Sequence, residues 1–334
     1  MNIIKFGIVG CGMIAGTHAQ ALNNVDGAML CGVFDQNESR AIEFASKYGI
    51  RSYNSLEEML NDNEIEAVCI CTPSGLHAEQ AIAALSAGKH VVLEKPMALT
   101  TADAKRICDQ ADKSNGLITV ISQNRYGDDI EKVKALIEDK AFGQLVTCDL
   151  YMKFWREPSY YENSPWRGTW LYDGGGALMN QGIHGIDLMN YLFGAPRLLS
   201  GRVKTLVHGI EVEDTAAALV EYDCGALGII EGTTSAYPGF SRRIEINGSK
   251  GYAHIVAGKL ESLCINGEVL FQGVSVTKNG TESDPTKLNY AGHVKQLTNF
   301  INAINKKEPL FVTANDGYAA VKIIEEIYNS SNKN

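Results

Sequence analysis

Up to about residue 120 the chain follows one pattern, a short apolar, β-branched run and then an amphipathic helical stretch. The runs are "IIKFGIVG", "AMLCGVFD", "IEAVCICTP", "KHVVLEKP" and "LITVIS". Between them lie "MIAGTHAQALNN", "ESRAIEFASKYG", "LHAEQAIAALSAG" and "TTADAKRICDQADKS". Runs this apolar have no wet face, so they require a parallel sheet covered by helices on both sides, with right-handed crossovers. Ligands of such sheets bind at the carboxyl ends of the strands. The residues that close each run are therefore the first candidates for function.

The first run ends in "GIVGCGMIA". Gly10, Gly12 and Ala15 fit the spacing of a dinucleotide-binding turn. Gly10 permits the tight turn, and Gly12 lets the backbone approach a pyrophosphate. The pyrophosphate would sit on the helix N-terminus at Met13 and Ile14, while Ala15 lets the helix pack close to the strand. Asp35 closes the next run, where a carboxylate bonds the ribose hydroxyls and repels a 2′-phosphate. NAD is therefore the expected cofactor; Arg40, five residues on, keeps NADP open. Two further loops leave strand ends. "CTPSGLHAE" carries Thr72, Pro73 and His77, and "VVLEKPMAL" carries Glu94 and Lys95 before Pro96. A lysine right after a buried strand is uncommon without a task. The Lys95–Pro96 bond is a candidate cis bond.

After "SQNRYGDDIEKVKALIEDK" the period changes. "QLVTCDLYMKFWR" reads as a long strand and "GGGALMNQGIHGIDLMNYLFG" as a helix ended by Gly194. Six further runs, from "RLLSGRVKTLVHG" to "LESLCING", read as strands. The expected architecture is α/β, with an N-terminal Rossmann domain over 1–123 built on a doubly wound parallel sheet. An α+β domain over 124–334 follows, with a large, mostly antiparallel open-faced sheet. The closing helices "HVKQLTNFINAINKK" and "NDGYAAVKIIEEIYNS" can pack back on the first domain. An open sheet face of this size calls for a second subunit, hence a homodimer or homotetramer.

Size and charge agree with a soluble two-domain protein of 334 residues. A formal net charge of −9 argues against nucleic acid or an anionic membrane as the main partner. No run spans a bilayer and the N-terminus does not read as a signal peptide. The eight cysteines show no zinc spacing, so no metal is expected; they read as free thiols in a reducing cytoplasm.

Three elements, "GIVGCGMIA", "EKP" and "GGGALMNQGIHGID", together resemble the Gfo/Idh/MocA oxidoreductases over nearly the whole chain. The resemblance implies a nicotinamide cofactor and a sugar or cyclitol substrate. It also implies that Lys95 faces nicotinamide and substrate, and that His184 contacts the reacting hydroxyl. The family often carries Asp one helical turn before this histidine; this chain has Asn180, which can orient a hydroxyl but cannot act as a base. Branches that oxidise C3 of nucleotide-linked sugars look similar in carrying Asn there.

The chemistry expected is oxidation of a secondary alcohol, with hydride leaving for the nicotinamide and a proton taken by the protein. The candidate bases are His184 and Lys95: histidine, which titrates near pH 6.5, needs no tuning, whereas lysine, near 10.4, needs lowering by burial or by the cationic nicotinamide ring; with His184 as base, Lys95 stabilises the developing alkoxide. Asp187, one helical turn after His184, reads first as a helix-surface acid and second as a residue that orients His184. Candidate substrate contacts are Asn124 and Arg125 after the last Rossmann strand, Trp166 and Arg167 in an aromatic, arginine-rich loop, and Tyr237. Tyr160 and Tyr161 are weaker candidates, and Arg242 and Arg243 read as solvated hairpin charges or phosphate contacts. The main reading is an NAD-dependent dehydrogenase of a sugar, cyclitol or related polyol. The alternatives are a nucleotide-sugar (UDP-amino sugar type) 3-dehydrogenase and a non-catalytic dinucleotide sensor; retention of Lys95 and His184 argues against the sensor.

Overall fold

A computed structural model describes residues 2–273 and 290–331. The chain forms two compact units, Met1–Gln123 with Leu288–Tyr318, and Asn124–Lys287 with Ala319–Asn334.

The first unit holds six parallel strands: β1 (Ile4–Val9), β2 (Ala28–Phe34), β3 (Arg51–Ser52), β4 (Ala67–Ile70), β5 (His90–Leu93) and β6 (Ile118–Val120). Their order is β3-β2-β1-β4-β5-β6. The chain reverses direction across the sheet between β1 and β4, the place where open α/β sheets bind ligands. β3 has two residues, too few to carry a period, and only the structure reveals it. Helices α1 (Met13–Leu22), α2 (Glu38–Tyr48), α3 (Leu56–Asn61), α4 (His77–Ser86) and α5 (Thr101–Lys113) supply the crossovers. Phe6, Ile8, Val33, Cys69 and Val92 form the core with Ala15, Ala19 and Leu22 of α1.

Three of these helices begin with a side-chain cap. Asn37 accepts from the Arg40 N–H, Ser55 from that of Glu58, and Thr100 from that of Asp103. α1 has no side-chain cap and no acid in its first turn.

The second unit contains α6 (Asp128–Glu138), β7 (Leu145–Lys153), α7 (Pro158–Glu162) and α8 (Ile183–Phe193). Then come β8 (Arg197–Lys204), β9 (Thr215–Glu221), β10 (Leu227–Thr233), β11 (Arg243–Gly248), β12 (Gly251–Val256), β13 (Lys259–Ile265) and β14 (Glu268–Gln272). The eight strands are ordered β14-β13-β12-β11-β7-β10-β9-β8. Neighbours run antiparallel except β7 and β10, which are parallel. β9 and β10 alternate cleanly: Ala216, Ala218, Val220 and Ile230 are buried, while Leu219, Leu227 and Ile229 are exposed. One face is thus core and the other is open and partly apolar.

Two late helices follow, α9 (Ala291–Ile304) and α10 (Ala314–Ser331). Leu297, Phe300 and Ile301 of α9 join the core of the first unit. All eight cysteines are free. Among the described residues no helix is long and apolar enough to cross a membrane.

Asp187 departs from expectation. It is buried, 3% exposed, because α8 packs on nearly every side. Arg125, 2% exposed, meets it with two parallel bonds, Nε to Oδ2 at 2.9 Å and a terminal nitrogen to Oδ1 at 2.6 Å.

The first unit should lose stability in mild acid. Burial pushes His18, His77 and His90 below the ordinary histidine value of 6.5. His90 Nδ1 also accepts the Leu117 N–H at 2.9 Å, which a protonated ring cannot do. Each group binds its proton more tightly unfolded than folded, so stability declines as pH falls through 6.5 toward the lower folded values. A melting temperature that falls between pH 7.5 and about pH 5.5 is expected; a flat profile over that window would refute this account.

Candidate active site

The glycine turn after β1 is set by two constraints. Gly10 has φ +93°, and a Cβ there would lie 2.9 Å from Thr72 Cγ2 and 3.0 Å from the Cys71 backbone. Gly12 differs: a Cβ there would meet no protein atom within 4 Å. The packing of this chain therefore does not require a glycine at 12, whereas a ligand approaching the backbone would. With neither cap nor acid on α1, the N–H groups of Met13 and Ile14 are available to an anion, and the helix dipole favours one. Asp35 follows β2; its Oδ2 accepts the Cys11 N–H at 2.7 Å and its Oδ1 that of Asn37 at 2.7 Å. The carboxylate is thereby locked to the turn. Burial, then the charge of Asp35, pushes the Cys11 thiol up to about 12, so it stays protonated. These residues fit a dinucleotide, with backbone N–H groups for the pyrophosphate and Asp35 for ribose hydroxyls.

The loops after β4 and β5 are tied together. His77 is 1% exposed, with Nδ1 2.7 Å from the Pro96 carbonyl and Nε2 2.9 Å from that of Thr72. Thr72 also donates its hydroxyl to Gln80 at 2.6 Å, and Pro73 opens the short 3-10 turn before α4. The neutral ring has one N–H, so His77 donates to one of these carbonyls and packs against the other, which still makes it a strut between the two loops. The Lys95–Pro96 bond is cis. Glu94 is buried at 5% exposure; its Oε1 lies 2.8 Å from His18 Nε2 and its Oε2 accepts the Lys95 N–H at 3.1 Å. Burial penalises the Glu94 charge, but the hydrogen bond with His18 and the nearby His293 ring, 3.9 Å away, outweigh it and hold the carboxyl well below the usual range. His18, Glu94 and His293 are, among the described residues, the one group whose ligand atoms could share a cation. The 2.8 Å contact is a hydrogen bond, and together with the Lys95 N–H it makes the group a buried anchor for the lysine loop.

In the second unit the triple glycine approaches a buried carboxylate. Glu213 accepts the N–H groups of Gly176 at 2.9 Å and Leu178 at 2.8 Å, and the Tyr328 hydroxyl at 2.8 Å. Burial pushes the Glu213 carboxyl up, against the pull of these donors. From this attachment runs a π-helical segment, Ala177–Gly182, which continues as α8. The expected helix is thus present, but its first turns are wider than α. Such turns shift side-chain phase and are frequent at functional sites. Gly185 sets the approach to the sheet: a Cβ there would lie 2.6 Å from Met152 Sδ and 3.0 Å from Leu150 Cδ1, both of β7. His184, the second residue of α8, is half-buried within an otherwise buried stretch.

Asn180 lies in the π-helical segment, 9% exposed, and donates its Nδ2–H to Asp173 Oδ1. Asp173, 1% exposed, also accepts the Gly168 N–H at 2.8 Å. Next to Asn180, Gln181 donates from Nε2 to the Tyr160 hydroxyl at 2.6 Å and to Asn180 Oδ1 at 3.3 Å. Gln181 Oε1 accepts from buried Arg156 at 2.7 and 3.2 Å. Tyr160 lies under the Arg167 guanidinium, whose carbon is 4.2 Å from the ring centroid, and Arg167 also donates to the Tyr160 carbonyl. Trp166 flanks Arg167 at 5.6 Å. The arginine-rich, aromatic loop and Asn180 thus form one constellation.

The other expected contacts are scattered. Arg125 is committed to Asp187, and Asn124 is half-buried in the short 3-10 turn Gln123–Tyr126. Tyr237 is 75% exposed and packs edge-on against Trp155. Arg242 is buried, so the solvated hairpin reading fails for it; Arg243 is exposed, stacks on Tyr151 and pairs with Glu245 at 2.7 Å. Sequence reasoning missed Asp173, Glu213, Arg156 and Gln181. Only Asp173 carried a signal, an acid directly before three glycines.

Comparison with known proteins gives two domain matches. Residues 4–122 match the oxidoreductase family with an NAD-binding Rossmann fold, and residues 130–254 match the GFO/IDH/MocA C-terminal domain. The chain is 26% identical to the myo-inositol 2-dehydrogenase of Thermotoga maritima over 341 aligned positions, 97% of each protein. Among solved structures it is similar to the WlbA dehydrogenase from Bordetella pertussis, in complex with NADH and UDP-GlcNAcA. Identity is 31% and TM-score 0.89, covering 99% of this chain and 96% of that one. A glucose-6-phosphate 3-dehydrogenase of Bacillus subtilis is 32% identical over 57% of this chain and 53% of its own.

Replacement of Glu213 tests the attachment of the π-helical segment. Glu213→Ala leaves two buried N–H groups and a buried hydroxyl without their acceptor. A loss of about 3 kcal/mol or more is expected by urea denaturation. A variant within about 0.5 kcal/mol of the parent would show that the carboxylate anchors nothing.

Proposed function

Because the chain belongs to the Gfo/Idh/MocA oxidoreductase family, we propose that it oxidises a secondary alcohol of a sugar, cyclitol or related polyol, with NAD as hydride acceptor. The observation that carries this reading lies in the first unit. Lys95 follows β5 at the carboxyl edge of the sheet, the edge that also bears the glycine turn, and its loop is held from below by Glu94 and His77.

Bound nicotinamide supplies the hydride acceptor. The chain's own residues handle position and proton. Met13 and Ile14 present N–H groups to the pyrophosphate, and Asp35 selects NAD by repelling a 2′-phosphate. Thr72 and Pro73 shape the loop beside the nicotinamide end. Lys95 stabilises the developing alkoxide with its positive charge. His184 accepts the hydroxyl proton, and Asn180 orients the substrate.

A narrower reading, a UDP-linked amino sugar as substrate, is favoured by one observation. Arg156 and Arg167 flank the Tyr160 ring beside Asn180, an arrangement suited to an anionic sugar derivative. The similarity to the dehydrogenase in complex with UDP-GlcNAcA supports it. We also propose that the open sheet face, with Leu199, Leu219, Leu227 and Ile229 exposed, pairs with a second copy.

The deciding experiment follows NADH at its absorbance maximum against inositols, free hexoses, glycosides and UDP-linked amino sugars. Turnover with one class names the substrate; silence across all of them with NAD bound would leave a sensor as the better reading. Lys95→Ala should lower turnover by about 100-fold or more with NAD still bound, and unchanged turnover would remove the lysine from the chemistry. Asp35→Ala should weaken NAD more than NADP; equal losses would end the ribose assignment.

A further inference from the structure

The side chains around Asn180 form a chain of hydrogen bonds with one direction. It begins at Arg156, which can only donate, and ends at Asp173, whose two oxygens each face an N–H donor. Between these ends the two amides have no choice of orientation. Gln181 must turn Oε1 to Arg156 and Nε2 toward Tyr160 and Asn180. Asn180 must then turn Nδ2 to Asp173 and Oδ1 away from it. The Tyr160 hydroxyl accepts from Gln181, so its own proton is directed elsewhere, as a donor.

We propose that Asp173 is the positioning residue of this site. It fixes Asn180 with its carbonyl oxygen as the presented atom, and it is the reason that residue 180 is an amide. The inference rests on the assignment of Asn180 to the substrate site. Its physical core is charge. Asp173 is 1% exposed and Asn180 9%. A carboxylate at 180 would place two like charges in direct contact away from water, and one of them would have to hold a proton. With Asp173 supplying the negative charge, position 180 carries none and passes polarity instead.

The test is a cycle of four proteins: parent, Asp173→Asn, Asn180→Asp and the double exchange. In the double variant the amide stands at position 173 and the carboxylate at position 180. Donor and acceptor have then changed places, so the pair is restored in reverse. Asn180→Asp alone should lose about tenfold or more in kcat near pH 7, with activity recovering as pH falls and the pair takes up its proton. The double exchange should regain at least half of that loss on a logarithmic scale. Asp173→Asn alone should raise KM more than it lowers kcat, because the Asn180 amide is then free to turn. Melting temperature reports the coupling whether or not the enzyme turns over: Asn180→Asp should melt several degrees below the parent, and the double variant above Asn180→Asp.

Additive melting shifts would overturn the coupling. Turnover of Asn180→Asp equal to the parent, at unchanged pH dependence, would overturn the positioning role even with coupling present in melting. In that event the dehydrogenase reading still stands or falls on Lys95→Ala.

Discussion

Glu213 fastens the start of the π-helical segment, and the placement of Asn180 and His184 depends on that attachment. Three donors converge on one buried carboxylate. They pin the triple glycine so that the chain leaves it in a fixed direction and enters wide turns before tightening into α8. Gly175 and Gly176 are there because other atoms lie too close for side chains: a Cβ on Gly176 would sit 2.1 Å from the Glu213 carbonyl oxygen, and one on Gly175 2.1 Å from the Tyr328 hydroxyl. Asn180 and His184 inherit their places from this start and from the close seating of Gly185 on β7.

The first unit reaches a comparable result by omission. Three of its other crossover helices begin with caps, yet α1 begins bare, at a glycine with open space above it. An uncapped helix start is costly unless something satisfies its N–H groups. In this unit the protein uses its side chains on loops instead. Glu94, His18 and His77 are buried beneath the loops that carry Thr72 and Lys95, and the bonds of His77 and Glu94 end on backbone atoms of those loops. Residues that read in the sequence as cofactor contacts thus include two, His77 and Glu94, whose hydrogen bonds brace the contacts of others.

Legibility followed the range of the interaction. The glycine turn, Asp35 and the lysine after β5 could be read because each signal is local: a turn, a strand end, a charge after an apolar run. β9 and β10 read as strands for the same reason. β3 was not, since two residues carry no period. The π-helical turns were not, because an apolar, glycine-rich segment shows one helical pattern at either pitch. Asp187 was misread because its partner, Arg125, lies 62 residues away. Arg156 and Gln181 are 25 apart and Glu213 is 37 from Gly176, so no spacing rule connects them. The residue types were visible; the pairings were not.

The two candidate sites therefore differ in kind. At the glycine turn the groups on offer are backbone N–H donors, fixed by the fold, so side-chain changes there act mainly by filling space or removing the Asp35 charge. Around Asn180 the groups are side chains, and amides have two ends that differ only in hydrogen-bond sense. A site built from Asn and Gln is specific only if something prevents them from turning over. Placing an obligatory donor at one end of the chain and a carboxylate at the other does this without any further packing. The consequence is that no member can be exchanged alone: a change of sense at one link propagates to the next, which is the physical basis for expecting coupled rather than independent effects among these residues.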